Sequence, residues 1–197
     1  MRWLVFLLLL FTLPPVLPAQ SNQVLLLIAP QNFRDEELLV TKQILEEGGF
    51  KIIVASSSLS TARGMLGTKI KPDILLSRIR IEDYRAIVLI GGVGAKEYWN
   101  NSLVHKLLRQ ALQKGKVIGA ICIAPVTLAE AGVLKNRRAT VWWSSGIDLR
   151  KVLRNYGAEY VDRNVVIDGK IITANGPSAS EEFGKALLKL LKENKDI

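Results

Sequence analysis

The 197-residue chain has one cysteine and one histidine. A single thiol cannot close an internal disulfide, so a disulfide-stapled module is excluded. One Cys and one His cannot assemble a Cys/His zinc site, and neither a metal nor another cofactor is expected. Acidic residues are in the minority, 18 Asp and Glu against 27 Lys and Arg, for a formal charge of +9. Internal repeats and low-complexity linkers are missing, as is the G-x-x-x-x-G-K-[ST] phosphate loop. Hydrophobic residues make up 49 % of the chain and charged residues 23 %, which excludes a disordered polymer. What remains is a length suited to one domain with a sizeable core.

Long apolar runs are confined to the start, MRWLVFLLLLFTLPPVLPAQ. Arg2 gives a short positive beginning, Trp3 to Leu13 is apolar apart from Thr12, and Pro14, Pro15 and Pro18 break any helix. Ala19 suits the position before a cleavage site. This is the layout of a secretory signal peptide over residues 1–19, ahead of a single domain over 20–197. The apolar run is shorter than the roughly 20 residues that span a bilayer. The other reading is an uncleaved N-terminal anchor, and in both the body of the protein is exported. Removing residues 1–19 takes away only Arg2, leaving 26 − 18 = +8.

Beyond that segment, short wholly apolar runs alternate with helical patterns. Val24 to Ala29, Lys51 to Ala55, Ala86 to Ile90 and Val117 to Ile121 read as strands buried on both faces. Helices are predicted over Glu36 to Glu47 (closed by Gly48 and Gly49), Ser102 to Lys114, a stretch through Ala131, and Ser180 to Lys192. Asp168 and Gly169 between two β-branched runs signal a hairpin. Ser56 to Pro72 is the least regular stretch and is expected to pack over a sheet edge. The alternation predicts an α/β fold with a mostly parallel central sheet.

Sites in open α/β sheets lie beyond the carboxyl ends of the strands. That rule nominates Pro30 to Glu37, Gly91 to Gly94, Cys122, and Asn175 to Pro177. Cys122 stands between Ala120 and Ala124 at a strand-to-helix junction, the small-residue setting that a nucleophile elbow needs. The following helix start favours a thiolate. An ordinary buried thiol is the other reading. Glu37 shares a helix side with Val40, Thr41 and Ile44, so its carboxyl is expected to turn inward, stay protonated and hydrogen-bond the sulfur. Alternatively Asp35, Glu36 and Glu37 only decorate the helix start. Gly91 and Gly92 are either turn glycines or backbone donors of an oxyanion hole. Trp142 either walls the cysteine pocket or packs in the core. His105, beside Lys106 and Arg109, is expected on a solvated helix face. Lys185, Lys189 and Lys192 share another face, read as solvated or as a weak attachment to anionic surfaces. No nucleic-acid module is present.

In order along the chain, these residues resemble the ThiJ/PfpI superfamily. The resemblance rests on Phe33 to Leu38, the Gly64 to Asp73 connector, Asp83 with Tyr84, Gly91 with Gly92, the Cys122 elbow, and Asp168 through Pro177, and it covers about Val24 to Lys192. It implies a flavodoxin-like three-layer sandwich that self-associates. It also implies Cys122 as the reactive cysteine, Glu37 as its proton partner, and Gly92 and Ile123 as backbone donors. Pocket positions are Trp142, Asn175 and Pro177. The implied activities are glyoxalase, deglycase or hydrolase chemistry on a small electrophile, or stress protection and redox sensing. Peptidase-like members place His after the cysteine, where this chain has Ile123. Deglycase-like members bring a His from the region that here reads Ala139 to Trp143. The frequent Arg before Gly-Pro is Asn175. With no Cys–His dyad, peptidase activity is not expected. The alternative is a non-catalytic redox-sensing or binding module that has lost its histidine.

Overall fold

The computed structural model describes residues 22–194. The segment 1–19 read as a signal peptide lies outside them. Along the chain, β1 (Gln23–Leu27), β2 (Gln31–Phe33) and α1 (Asp35–Glu47) are followed by β3 (Lys51–Ser56), β4 (Ala62–Gly64), β5 (Lys69–Ile70) and β6 (Ile74–Leu75). Next come β7 (Ala86–Leu89), α2 (Ser102–Gln113), β8 (Val117–Ile121), α3 (Pro125–Glu130) and β9 (Arg138–Ala139). The chain closes with α4 (Leu149–Asn155), β10 (Glu159–Tyr160), β11 (Val165–Asp168), β12 (Ile171–Ala174) and α5 (Ser180–Glu193).

The central sheet runs β11-β12-β8-β7-β1-β3-β6. All its pairings are parallel except the β11–β12 hairpin. A parallel sheet covered on both faces needs apolar residues at every position. VLLL of β1, AIVL of β7 and VIGAI of β8 meet this demand and are buried throughout. Helices α1 and α5 pack together on one face, and α2, α3 and α4 form a contiguous layer on the other. This is the flavodoxin-like three-layer sandwich. No helix among the described residues is long and apolar enough to cross a membrane.

Two expectations need correction. Ser56 to Pro72 does not simply cover an edge, because β4 and β5 form a second small sheet with β2. The cause is Asp35, whose buried carboxylate accepts the Leu66 and Thr68 N–H groups at 2.8 Å each. Burial pushes the Asp35 carboxyl up, but the hydrogen bonds from Thr68 and Leu66 outweigh it and hold the group below its ordinary value. Asp35→Ala leaves both amides unpaired and is expected to cost about 3 kcal/mol in urea melts. The wild-type contribution is present above the unfolded value near 3.8 and is lost as pH falls below it.

The hairpin turn is also shifted by one residue. Asp168 pairs with Ile171, so the central residues are Gly169 and Lys170. Gly169 has φ +59°, as the first central position of a type II′ turn requires. Asp168 ends the strand and holds the Arg137 guanidinium at 3.2 Å.

Candidate active site

The carboxyl ends of β7, β8 and β12 converge on one sulfur. Strand β8 ends at Ile121, and the next residue, Cys122, has φ +64°. For a non-glycine residue this left-handed geometry costs about 1–2 kcal/mol. It is held on both sides: Cys122 N–H donates to the Ala174 carbonyl at 2.9 Å, and Trp142 N–H donates to the Cys122 carbonyl at 2.8 Å. Buried Ala120 and Ala124 flank the kink, and Pro125 opens α3. The side chain is 7 % exposed.

Glu37, in the first turn of α1, is 0 % exposed. Its Oε2 accepts the Gly91 N–H at 2.9 Å. Its Oε1 has no nitrogen or oxygen partner, and the remaining neighbour of the carboxyl is the Cys122 thiol. Gly91 fits only as glycine: a Cβ there would stand 2.5 Å from Cys122 Cβ, 2.7 Å from Glu37 Oε2 and 2.8 Å from the Ile121 carbonyl. Gly92 has φ +90° and ψ 162°, a region essentially confined to glycine, and lies against the backbone of residues 32–34. Its N–H and that of Ile123 hydrogen-bond the sulfur. An oxyanion formed beside the sulfur would meet the same two donors.

The resting protonation corrects the expectation of a thiolate. Burial first, and then the charge of Glu37, push the Cys122 thiol up to about 12; the Gly92 and Ile123 N–H groups only moderate this. Helix α3 is short, and desolvation of the sulfur outweighs its dipole. Burial also raises the Glu37 carboxyl to about 7, while the Gly91 N–H, the thiol and the Arg34 charge restrain the rise. Near neutral pH the sulfur therefore keeps its proton, and Glu37 is poised between acid and base.

Trp142 is half-buried, and its ring Cδ1 would lie 3.1 Å from a Cβ on Gly176, just beyond β12. The Asn175 side chain donates to Asn164 Oδ1 at 3.2 Å. Pro177 lines a groove of about 470 Å³ between α1 and α5, together with Glu36, Val40 and Ile44. His105 is not solvated as expected. It is half-buried on α2, with its Nε2 bonded to the Trp99 carbonyl and Glu130 in electrostatic reach. Among the described residues no cluster of three His, Cys, Asp or Glu could hold a metal.

Arg34 lies within the nominated Pro30 to Glu37 segment, and the structure gives it a role that the sequence does not. Its guanidinium grips Glu36 at 2.9 Å, and its charge acts on both Glu37 and Cys122. Its backbone N–H donates to the Gly91 carbonyl at 3.0 Å, fixing the glycine pair beside β1. The available signal was a cation three residues ahead of an inward-facing carboxylate.

The model for the DJ-1/PfpI family matches residues 22–190. The chain is 42 % identical over 178 residues to the protein MJ0967 of Methanocaldococcus jannaschii, covering 90 % of this chain and 86 % of that one. It is 30 % identical over 168 residues to the deglycase PfpI of Pyrococcus furiosus, covering 85 % and 99 %. The crystal structure of a ThiJ/PfpI domain protein from Brachyspira murdochii superposes with a TM-score of 0.84 at 32 % identity, covering 88 % and 98 %.

Proposed function

The chain belongs to the DJ-1/PfpI family, and from that premise we propose that it is a deglycase-like enzyme whose Cys122 adds to reactive carbonyls. The observation that carries this reading is the buried pair of Glu37 and the Cys122 thiol beneath two backbone N–H groups. The similarity to a deglycase over most of both chains supports it.

In the proposed step the sulfur attacks an aldehyde carbon as its proton passes to the Glu37 carboxylate. The S–C bond forms, and the carbonyl π pair moves to oxygen. The Gly92 and Ile123 N–H groups stabilise that oxygen. Glu37 then returns the proton to it, giving a neutral hemithioacetal. A carboxylate with a pKa of about 7 suits both halves of this exchange at neutral pH. Small electrophiles are the substrate class. Self-association and export through residues 1–19, removed or kept as an anchor, belong to the same proposal; nucleic acid does not.

The pH dependence follows from the base. The rate of Cys122 alkylation by iodoacetamide is expected to rise between about pH 6 and 8, with a midpoint near 7 set by Glu37. A rate that climbs only above pH 9 would remove Glu37 from the step.

One observation favours a second reading. The only histidine of the chain, His105, is bonded to Trp99 and supplies no base at the sulfur. A stoichiometric carbonyl trap or redox sensor would need none. Exposure to methylglyoxal, with product analysis and intact-mass measurement of wild type and Cys122→Ser, separates the two. Continuous product formation lost in Cys122→Ser is the expected result. A single stable adduct on Cys122 without turnover would establish the second reading, and no reaction at Cys122 would overturn both.

A further inference from the structure

The two N–H groups that meet the sulfur belong to two peptides, and each of those peptides is held from behind. In a trans peptide the carbonyl and the N–H point in opposite directions, so a bond to the carbonyl aims the N–H. The Ile123 N–H shares its peptide with the Cys122 carbonyl, which accepts the Trp142 N–H at 2.8 Å. The Gly92 N–H shares its peptide with the Gly91 carbonyl, which accepts the Arg34 N–H at 3.0 Å. The first peptide has a further restraint, because the Cys122 N–H is tied to the Ala174 carbonyl at 2.9 Å. The second lies between two glycines. A half-turn of its plane would carry Gly92 from φ +90° to about −90°, and with no Cβ glycine is free to take either. The sulfur would then face the Gly91 carbonyl in place of the N–H. Glu37 does not prevent this, since the Gly91 N–H it accepts at 2.9 Å lies in the preceding peptide. The bond from Arg34 does oppose it. Both glycines are buried, so a released carbonyl would have no water to turn to.

We propose that Arg34 is a positioning residue for the oxyanion donor, acting through its main-chain N–H: by holding the Gly91 carbonyl it keeps the Gly91–Gly92 peptide turned with its N–H toward the reacting oxygen. The start of α1 then serves the sulfur twice, with the Glu37 side chain for the proton and the Arg34 amide for the donor. This rests on the carbonyl-addition reading, because the direction of the Gly92 N–H matters to the rate where an oxyanion forms.

Proline at position 34 of the full chain tests it. Arg34 has φ −83°, near the proline range of about −65 ± 15°, and Phe33 before it lies in β2, the extended conformation that a residue before proline prefers. Arg34→Pro is compared with Arg34→Ala, which lacks the same guanidinium but keeps the N–H. Two rates at Cys122 are read: addition to methylglyoxal, which develops an oxyanion, and alkylation by iodoacetamide, which does not. Both variants lose the charge that restrains Glu37, and the ratio of the two rates removes that shared effect. The ratio is expected to stay near the wild-type value in Arg34→Ala. In Arg34→Pro it is expected to fall at least about tenfold, against about 10²–10³ for complete loss of one oxyanion donor. Exchange of the Gly92 amide hydrogen, followed by NMR, is expected to be at least about tenfold faster in Arg34→Pro than in Arg34→Ala. An ester at the same bond, made by placing lactic acid at position 34, removes the N–H without the proline ring and is expected to behave as Arg34→Pro; it decides the matter if Arg34→Pro does not fold. Equal ratios and equal Gly92 exchange with and without the N–H would overturn the proposal. So would an equal fall in Arg34→Ala, which would place the effect in the guanidinium. If the wild type forms no methylglyoxal adduct, the carbonyl-addition reading fails, and the Gly92 exchange comparison alone upholds or overturns the role of the Arg34 N–H.

Discussion

Glu37→Gln is expected to lower the rate of the proposed carbonyl addition at Cys122 by about 10²-fold or more, the usual worth of a positioned proton acceptor. The amide keeps the shape of the carboxyl and still offers an oxygen to the Gly91 N–H, but it cannot accept the thiol proton. Stability moves the other way. The folded Glu37 carboxyl titrates at about 7 against 4.5 for the free group, so the folded state binds the extra proton between those values. Its stabilising share is complete below about 4.5 and disappears as pH rises through about 7. Above that, the buried charge costs up to about 3 kcal/mol. Gln carries no such charge, so Glu37→Gln is expected to melt several degrees above wild type at pH 8 and close to it at pH 4.5. A variant that is inactive and also less stable at pH 8 would show that Glu37 serves to hold the α1 start in place. Thermal melts across pH beside an adduct-formation assay decide the matter.

Gly91→Ala is the second large effect. The added methyl conflicts with Cys122 Cβ, the Glu37 carboxyl and the Ile121 carbonyl together. Only the Glu37 oxygen ends a flexible side chain, and it is buried and held by the Gly91 N–H. Cys122 is fixed by two backbone hydrogen bonds, and Glu37 is packed without exposed surface. Relief requires the β7 loop to retreat from β8, which opens the Arg34 to Gly91 bond as well. A loss of about 3 kcal/mol or more is expected in denaturant melts, toward the upper range for overpacking. Cys122 alkylation should then lose its midpoint near pH 7, since thiol and carboxyl no longer face each other. Gly49→Ala, at a helix end with φ +88° and open space around it, is the comparison: it carries backbone strain without crowding and leaves the alkylation profile unchanged.

Much of this site is written locally. The Cys122 elbow is legible because Ala120 and Ala124 leave room for a sharp turn. The inward side of Glu37 is legible because its helical neighbours are apolar. The parallel sheet is legible because its strands have no polar face. What escaped depends on distant partners. Nothing next to Asp35 indicates that its oxygens meet the amides of residues 66 and 68. Nothing next to Arg34 indicates that its N–H meets the Gly91 carbonyl beyond β7. The protonation of Cys122 is the largest difference, since the helix start is visible in the sequence while the desolvation that outweighs it is a property of the whole packed layer. The one-residue shift of the β11–β12 turn has a smaller cause: Asp168 has a strand partner in Ile171 and an ion pair with Arg137.

The peptide of Cys122 is tethered at its N–H by β12 and at its carbonyl by the segment that carries Trp142. The kink cannot unwind when a group attaches to the sulfur without giving up one of these tethers. The thiol is thus a fixed post and not a swinging arm, and the incoming molecule must do the travelling.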